Sequence, residues 1–438
     1  MTSARRFEQD VPALLDDLYV TGLPDYRDDL LRATAATRQR PGWSFPTRYF
    51  PMDIANRRRP VAPLPWRALA IVALLLLVAA AAVLVTAGSR PHLPAPFGPA
   101  RNGPLAYTQG DAIYARDSIT SPERLLIGGD GTRNGFWGFS PDGTKILFQR
   151  TMNATDHLWV ADADGRNQRQ ILDEPLTDSY VAWSPDAQLV AVTTGATGHR
   201  RLLLARTNGS APIEVSLAGI KPATPGTPQP TDIVWRPPDG AELLVRASAA
   251  DRSVDFYRVR ADGTVIGALG LPDPKAFGPD WDISGPSWSP TGDRLAYNQV
   301  EKISQDPGGH FRVHVVRADG TADAALPGPS DPLTHEAWPV WSPDGRSIAV
   351  EHFVFGSPGK DWVALLPSDG SAPARDLLPP QPASPDGGIV KAWLPDGTRL
   401  IARANGFNRM YSIDPVGDAV EEIHWSAADL PDSRRLAP

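Results

Sequence analysis

The chain has 438 residues, of which 42% are hydrophobic, so it is long enough for several average domains or for one large β domain. It contains no cysteine, which excludes disulfides, thiolate metal sites and a cysteine nucleophile. The net charge of −7 is uneven: residues 1–67 carry eleven arginines and eight acids, a net +3, which leaves −10 for the remainder. Because the large C-terminal part has no basic run, we expect no nucleic-acid binding.

The N-terminal region, residues 1–66, is predicted to contain two short amphipathic helices on the cytoplasmic side. Apolar residues recur at steps of three and four in the first helix, which includes Leu14 and Leu18. Gly22 is a plausible end of this helix, and a second helix would include Leu30. Two such helices cannot bury their apolar faces alone, so they need each other, the membrane surface or a cytosolic protein partner. Leu14, Leu18 and Leu30 are predicted to bind that partner.

Residues 41–66 are rich in proline and aromatic residues. We interpret this segment as a juxtamembrane linker whose aromatic side chains lie at the membrane interface. The alternative is that part of it clamps a cytosolic partner.

Residues 67–89 are predicted to form one transmembrane helix. Residues 68–89 carry no charge over 22 positions, close to the ~20 needed to cross the hydrocarbon core. Arginines cluster on the N-terminal side, which places the N-terminus in the cytoplasm and the rest of the chain outside. A cleavable signal peptide is the competing interpretation, but signal peptides have short leaders. Residues 90–104 are proline-rich and are predicted to form a stiff spacer.

A hairpin pattern recurs through residues 105–438. An apolar strand ends in an aromatic residue, Ser-Pro-Asp-Gly or a variant of it forms a turn, and a second apolar strand follows. The aromatic residues are separated by steps of 44, 52, 53, 53 and 52 positions and are Phe139, Trp183, Trp235, Trp288, Trp341 and Trp393. Several third strands end in an Asp-Gly turn, so each unit is predicted to have four antiparallel strands. A period of this length built of short strands indicates a β-propeller.

The fold class is therefore predicted to be mainly β. Residues 98–438 give about 49 residues per unit for seven units, which matches the observed steps, and about 57 for six. We predict a seven-bladed propeller, with six blades as the alternative. The first unit lacks its opening strand, and the segment Leu430 to Pro438 follows the last complete unit. The C-terminal strand is therefore predicted to pair with the three N-terminal strands and close the ring.

These hairpins resemble the TolB-like and WD40-like propeller repeats of bacterial envelope proteins. The same repeats form propellers beside the catalytic domain of some serine peptidases. The resemblance covers residues 105–438 and implies the fold, since one propeller scaffold carries many functions. The order of helices, span and outer domain is similar to that of membrane-bound anti-sigma factors, which implies a sigma factor as a candidate cytosolic partner. The His/Cys zinc signature of that group is absent here.

The sequence contains no recognisable catalytic or metal-binding motif. No G-x-S-x-G nucleophile elbow and no phosphate-binding glycine loop occur. His310 and His314 are four residues apart, which on a strand means some 13 Å, too far for one metal ion. The repeated aspartates and tryptophans are interpreted as turn and inter-blade packing residues. We predict no catalytic residue, no metal site and no cofactor.

A long connection between two repeats contains the most site-like cluster. Asp280, Trp281 and Asp282 place an aromatic side chain between two acids, in a loop on a rigid scaffold. They are predicted to contribute to a partner-binding surface, and the alternative is that Trp281 only covers a blade end.

The combined prediction is a single-pass, membrane-anchored propeller that binds a protein or ligand outside the cell and engages a cytosolic protein through its N-terminal helices. One alternative is a passive envelope scaffold. The other is a propeller enzyme of the lyase, lactonase or glycosidase type.

Overall fold

The computed structural model describes residues 97–436 except 178, 196–199, 218–230, 249–253, 272–282, 304–305, 332, 355–359, 379–380, 383–388, 405–408, 418 and 426. By its contacts the chain divides into Met1–Arg90 and Pro91–Pro438, and every described residue belongs to the second unit. The predicted helices within 1–66 and the predicted span 67–89 lie outside the described residues. The described part contains strands and no α-helix, so no helix found there could span a bilayer.

The described strands form seven antiparallel sheets, the blades of a β-propeller. Blade 1 contains β1 (Arg101–Gln109), β2 (Ala112–Arg116) and β3 (Glu123–Ile127). Blade 2 contains β4 (Arg133–Phe139), β5 (Lys145–Met152), β6 (Thr155–Asp162) and β7 (Arg169–Gln170). Blade 3 contains β8 (Val181–Trp183), β9 (Leu189–Thr194), β10 (Arg201–Arg206) and β11 (Ile213–Val215). Blade 4 contains β12 (Thr231–Trp235), β13 (Glu242–Ser248), β14 (Val254–Arg260) and β15 (Val265–Ala268).

The remaining blades continue the same order of strands. Blade 5 contains β16 (Ile283–Trp288), β17 (Arg294–Ile303), β18 (Asp306–Arg317) and β19 (Ala324–Ala325). Blade 6 contains β20 (His335–Trp341), β21 (Ser347–Val354), β22 (Lys360–Pro367), β23 (Arg375–Asp376) and a short fifth strand, β24 (Gln381–Pro382). Blade 7 contains β25 (Ile389–Trp393), β26 (Leu400–Ala404), β27 (Arg409–Ile413) and β28 (Val420–Ile423). The predicted seven-bladed propeller is confirmed, and the six-bladed alternative is wrong.

The last strand of the chain closes the ring. Strand β29 (Asp432–Leu436) pairs antiparallel with β1, so blade 1 has the order β29-β1-β2-β3. Arg101 pairs with Leu436, so β1 begins inside the segment that the sequence assigned to the spacer. The predicted closure is confirmed, and it gives blade 1 the innermost strand that the N-terminal part of the repeat lacks.

The repeated turn is held by its own side chains. In blade 2, Ser140 Oγ donates to Asp142 Oδ1 at 2.6 Å and accepts the backbone N–H of Lys145 at 2.9 Å. Asp142 Oδ1 also accepts the N–H of Thr144 at 3.0 Å. The corresponding carboxylates that accept a backbone N–H two residues on are Asp186, Asp239, Asp344 and Asp396. The predicted structural role of the repeated aspartates is confirmed.

The core lies between the blades, where apolar residues of successive sheets pack together. Three repeat tryptophans also reach across these interfaces with the indole N–H. The Trp235 indole donates to the carbonyl of Ala182 at 3.0 Å, and the Trp341 indole donates to that of Ser287 at 2.9 Å. The Trp393 indole does the same with blade 6. These tryptophans pack between blades, as predicted, and the hydrogen bonds fix the position of each blade against its neighbour.

Candidate partner-binding site

The innermost strands of the blades border the axial opening of the ring. First strands of neighbouring blades contact one another, among them β8 with β12, β12 with β16, β16 with β20, and β29 with β4. Exposed side chains on these strands are therefore displayed around the axis by a rigid frame.

Three consecutive innermost strands share a bulge at the same place in the repeat. Three residues before the repeat tryptophan, the backbone adopts a left-handed conformation, with φ of 40° at Asp232, 60° at Gly285 and 49° at Trp338. Each bulge coincides with a break in the pairing register to the second strand of its blade. Glycine adopts this conformation freely, whereas a tryptophan in it is an outlier that the surrounding structure must hold in place.

Trp338 is held by blade 5. Its backbone N–H donates to Asn298 Oδ1 at 2.7 Å, and Asn298 Nδ2 donates to Ser284 Oγ at 3.2 Å. A Cβ on Gly285 would come within 3.4 Å of the Trp338 ring, so this glycine lets the indole lie against the neighbouring blade. The indole also lies near Phe353, with ring centroids 5.7 Å apart. The ring is thus fixed in position while 46% of the residue remains exposed.

The same type of backbone clamp occurs at the equivalent place in blades 2 and 3. The N–H of Phe136 donates to Thr108 Oγ1 at 2.8 Å, and that of Tyr180 donates to Thr193 Oγ1 at 3.0 Å. A polar side chain of a second strand thus fixes the inner strand at three places around the axis. The inner strand is pre-organised there before any partner arrives.

Large aromatic side chains are exposed along this part of the ring. Trp137, next to Phe136, is 39% exposed, and Tyr180, directly before β8, is 43% exposed. With Trp338 they are three of the seven large hydrophobic residues that are exposed in the described part of the chain. We call the set of inner-strand residues the axial collar; it consists of Phe136, Trp137, Tyr180, Asp232, Gly285 and Trp338. Exposed aromatic side chains on a rigid frame are typical of protein-binding surfaces.

Blade 6 contains an array of acids and imidazole that is buried behind the collar. His352 Nε2 lies 3.1 Å from Glu336 Oε2, and His352 Nδ1 lies 3.4 Å from Asp376 Oδ1, which also accepts the Trp362 indole N–H at 2.7 Å. Glu336 and His352 are 0% and 2% exposed, so a substrate could not reach them without opening the blade. This array ties β20, β21 and β23 together.

Two ionisable groups, the buried Lys391 and the half-buried Asp432, lie at blade interfaces near the axis. Burial lowers the pKa of Lys391 on β25 to about 8, and the negative charge of Glu351 on β21 opposes this shift. Burial raises the pKa of Asp432 on the closing strand to about 6, although Asp432 Oδ2 accepts the N–H of Phe139 at 2.8 Å. We therefore expect the packing between these blades to depend on pH.

The residues that the sequence singled out for partner binding are not among the described ones. Leu14, Leu18 and Leu30 lie outside them, and so do Asp280, Trp281 and Asp282. Their roles stay predictions.

The two histidines weighed as metal ligands go to different partners. His314 Nδ1 lies 3.2 Å from Asp323 Oδ2, whereas His310 stacks on His335 with ring centroids 4.6 Å apart. Within the described ranges, no group of three His, Asp or Glu side chains is placed to hold a metal ion.

Sequence reasoning missed Trp338, although a signal was present. At this place in the repeat the other copies carry Phe136, Tyr180, Asp232, Gly285 and Val390. Aspartate and glycine at one position suggest a left-handed bulge. In the two other described blades that share the left-handed bulge, this position is occupied by aspartate or glycine, so a tryptophan there is the unusual feature of blade 6.

The fold and its repeats define a seven-bladed β-propeller with TolB-like hairpins. No family model matches the chain. The chain is similar to a protein named TolB homolog from Chlorobaculum tepidum, with 30% identity over 125 residues. This match covers 28% of the present chain and 26% of that relative, so it spans about a quarter of the relative's length.

Solved structures share the fold at low sequence identity. A prolyl endopeptidase is similar at a TM-score of 0.51 with 17% identity, over 77% of this chain and 51% of that chain. TolB from Acinetobacter baumannii is similar at a TM-score of 0.45 with 17% identity, over 75% of this chain and 81% of that chain. The predicted resemblance to TolB-like repeats is confirmed at the level of sequence match and fold. Since a propeller of this kind also occurs in an enzyme, the prediction that the present chain is not an enzyme stays a prediction.

Proposed function

We propose that this chain is a single-pass membrane protein of the bacterial envelope whose propeller binds a protein partner through the axial collar. The propeller lies outside the cytoplasm, and residues 67–89 anchor it. The N-terminal helices engage a cytosolic protein, for which the layout of the chain makes a sigma factor the first candidate. The propeller then acts as the sensor or regulatory module for that cytosolic protein.

The observation that carries this proposal is Trp338. A solvent-exposed indole in a left-handed backbone conformation is costly, about 1–3 kcal/mol for the backbone alone. Blade 5 contributes a buried asparagine and a glycine that hold it there. Exposed aromatic anchors on a pre-organised surface are what partner proteins bind most strongly. Strain of this kind concentrates at functional sites, which supports binding at the collar.

Three features of the sequence support the anchoring and the two-sided arrangement. An uncharged 22-residue stretch has the length of a membrane span, and arginines precede it. The apolar residues of the N-terminal segment recur at helical spacing. The similarity to a TolB homolog supports an envelope protein with a binding propeller.

Photo-crosslinking in intact bacterial cells tests binding at the collar. A benzophenone amino acid replaces Trp137 in the full chain, which leaves Trp338 in place. A second chain carries the same group at Leu125, which is 57% exposed on β3 at the outside of blade 1. We expect a discrete crosslinked protein with the first chain, reduced by Trp338→Ala, and none with the second. Equal crosslinking at the two positions, or none at Trp137, would refute binding at the collar.

A second experiment in the same cells distinguishes a signalling role of the chain from the role of a passive scaffold. Deletion of residues 1–50 from the full chain should abolish recovery of a specific cytosolic protein and leave the collar crosslink intact. If the deleted chain retains its cytosolic partner, or if the full chain recovers none, the two-sided role is wrong and the passive scaffold is favoured.

A further inference from the structure

Strand β4 is held from outside its own blade through two of its backbone N–H groups. It is the innermost of the four described strands of blade 2, so no strand of that blade pairs with its axial edge. The N–H of Phe136 donates to Thr108 Oγ1 at 2.8 Å, and the N–H of Phe139 donates to Asp432 Oδ2 at 2.8 Å. Trp137, an exposed residue of the axial collar, lies between these two bonds. Its position therefore depends on the two side chains that accept them.

Both bonds lead to the C-terminal end of the chain. We call residues 428–435 the closing segment, and Asp432 belongs to it directly. Thr108 is tied to the same segment by three hydrogen bonds. The N–H of Ala428 donates to the carbonyl of Thr108 at 2.8 Å, and the N–H of Thr108 donates to Asp429 Oδ1 at 2.9 Å. The Thr108 hydroxyl donates to Asp429 Oδ2 at 2.5 Å.

Asp429 also sets the direction of the Thr108 hydroxyl group. A hydroxyl has one proton to donate and lone pairs that accept. Here the proton goes to Asp429, so a lone pair remains for the N–H of Phe136. Burial raises the pKa of Asp429, whereas the hydrogen bonds from Thr108 favour the ionised form and oppose the rise. Asp429 thus acts on the backbone of the collar strand through Thr108.

A third contact reaches the turn that follows β4. Arg434 Nε donates to the carbonyl of Gly143 at 2.7 Å. The closing segment therefore fixes the first hairpin of blade 2 on both sides of Trp137 and again at its turn. Trp338, the other tryptophan of the collar, is held by Asn298 of blade 5. The two collar tryptophans are thus positioned by different parts of the chain.

From these contacts we infer that the closing segment also positions Trp137 for the partner, so that ring closure and partner binding at the collar are coupled. This inference rests on the proposed function and adds two positioning residues, Asp429 and Asp432. Coupling of this kind is reciprocal. A closed ring presents Trp137 correctly, and a partner that contacts Trp137 stabilises the closed ring.

Hydrogen exchange followed by mass spectrometry tests the positioning, with the full chain in detergent micelles. Asp429→Asn keeps the shape of the side chain but places an amide N–H₂, a donor, against one of the two donors of Thr108. We expect exchange in β4 (Arg133–Phe139) to become about tenfold faster, as the loss of one hydrogen bond implies, and exchange in β20 (His335–Trp341) to stay unchanged.

A matched control is available in blade 5. Asp319 Oδ1 also accepts the N–H and the hydroxyl of one threonine, Thr321, at 2.9 and 2.6 Å. Asp319→Asn should therefore leave exchange in β4 unchanged. Substitutions of Thr108 separate the hydroxyl from the packing of the side chain. Thr108→Val should reproduce the faster exchange of Asp429→Asn, and Thr108→Ser should retain the slow exchange of the unmodified chain.

Crosslinking from the benzophenone group at position 137 tests the coupling to the partner. Asp429→Asn should lower the yield about fivefold, the lower end of typical coupling between sites, and Asp319→Asn should not change it. Exchange in β4 that is unchanged by Asp429→Asn, or that rises equally in β4 and β20, would overturn the positioning role. Faster exchange in β4 with an unchanged crosslink would overturn the coupling.

The two measurements also separate this inference from the proposed function. If the unmodified chain forms no crosslink at position 137, the proposed function fails and the coupling fails with it. The exchange data still decide whether Asp429 positions β4, because they require no partner.

Discussion

Replacing Asp432 by asparagine should change how the stability of the propeller depends on pH. Asp432 begins the closing strand, and its carboxylate accepts the backbone N–H of Phe139 in blade 2. Burial raises the pKa of Asp432 from 3.8 to about 6, against the opposing effects of that hydrogen bond and of the Arg435 charge. The folded chain therefore holds this proton more tightly than the unfolded chain does.

The sign and size of the effect follow from this difference. The stability that protonated Asp432 contributes is complete below pH 3.8 and is lost as the pH rises to about 6. A shift from 3.8 to about 6 corresponds to about 3 kcal/mol at 1.36 kcal/mol per pKa unit. Part of the residue remains accessible to water, which screens the charge, so we expect a loss of about 1–3 kcal/mol over this range.

The assay is urea unfolding of the purified full chain at a series of pH values from 4 to 7, followed by tryptophan fluorescence. The Asp432→Asn chain should lack the decline of about 1–3 kcal/mol that the unmodified chain shows between pH 4 and 6. Asp262→Asn is the matched control, because hydrogen bonds from Thr264 lower the pKa of that exposed turn carboxylate. Its replacement should leave the decline in place. If Asp432→Asn and the unmodified chain show the same decline, the carboxylate is solvated and the reasoning is refuted.

Three further substitutions test the contacts between blades by the same urea assay. Trp341→Phe removes the indole hydrogen bond to the preceding blade. It should lower the free energy of unfolding by about 1 kcal/mol more than Trp288→Phe does, because the Trp288 indole N–H has no hydrogen-bond partner in the described structure. Equal losses in the two variants would contradict this. Gly143→Ala places a Cβ within 2.1 Å of a carbonyl oxygen of the closing strand, whereas Gly131→Ala, also at positive φ, meets nothing within 4 Å. Gly143→Ala should lower the free energy of unfolding by about 2 kcal/mol more than Gly131→Ala does. A difference smaller than about 1 kcal/mol would mean that the closing strand moves to make room for the added Cβ. Lys391→Met removes the cation near the buried Glu351 carboxylate and should lower the free energy of unfolding by about 3 kcal/mol at pH 7, and a neutral effect would contradict this.

The sequence predicted the fold because the turn chemistry is local. Serine, proline, aspartate and glycine make a hairpin from contacts within five residues, as the bonds from Ser140 to Asp142 and Lys145 show. A fixed spacing of such hairpins then limits the architecture to a ring, and the missing first strand predicts the closure by β29. The start of β1 could not be read in this way. Arg101 and Asn102 pair with a strand more than 300 residues away and carry no apolar alternation of their own.

The candidate site could not be predicted to the same extent, because it depends on contacts between repeats. Asn298 lies on a second strand of blade 5, and only the packing of the blades brings it to the backbone of Trp338. The sequence pattern gives the face of a residue within its own strand and says little about the neighbouring blade. The pattern therefore indicated the long connection that contains Trp281 as the binding site, rather than an irregularity inside a regular strand. An alignment of the repeats would have identified the irregularity but not the asparagine that holds it.

The bulge explains how a repeated scaffold acquires a single site. Blades 4, 5 and 6 share the same backbone distortion, yet they carry Asp232, Gly285 and Trp338 at it. The distortion is thus a property of the repeat, and the side chain displayed there can vary without changing the frame. In blade 5 the glycine leaves room for the neighbouring indole, and a Cβ would also crowd Asn298 at 2.9 Å. Gly285→Ala should therefore displace both the clamp and the ring, and it should weaken partner binding as much as Trp338→Ala does, although it removes no contact atom of the collar. Unchanged binding would show that the indole does not need its fixed position.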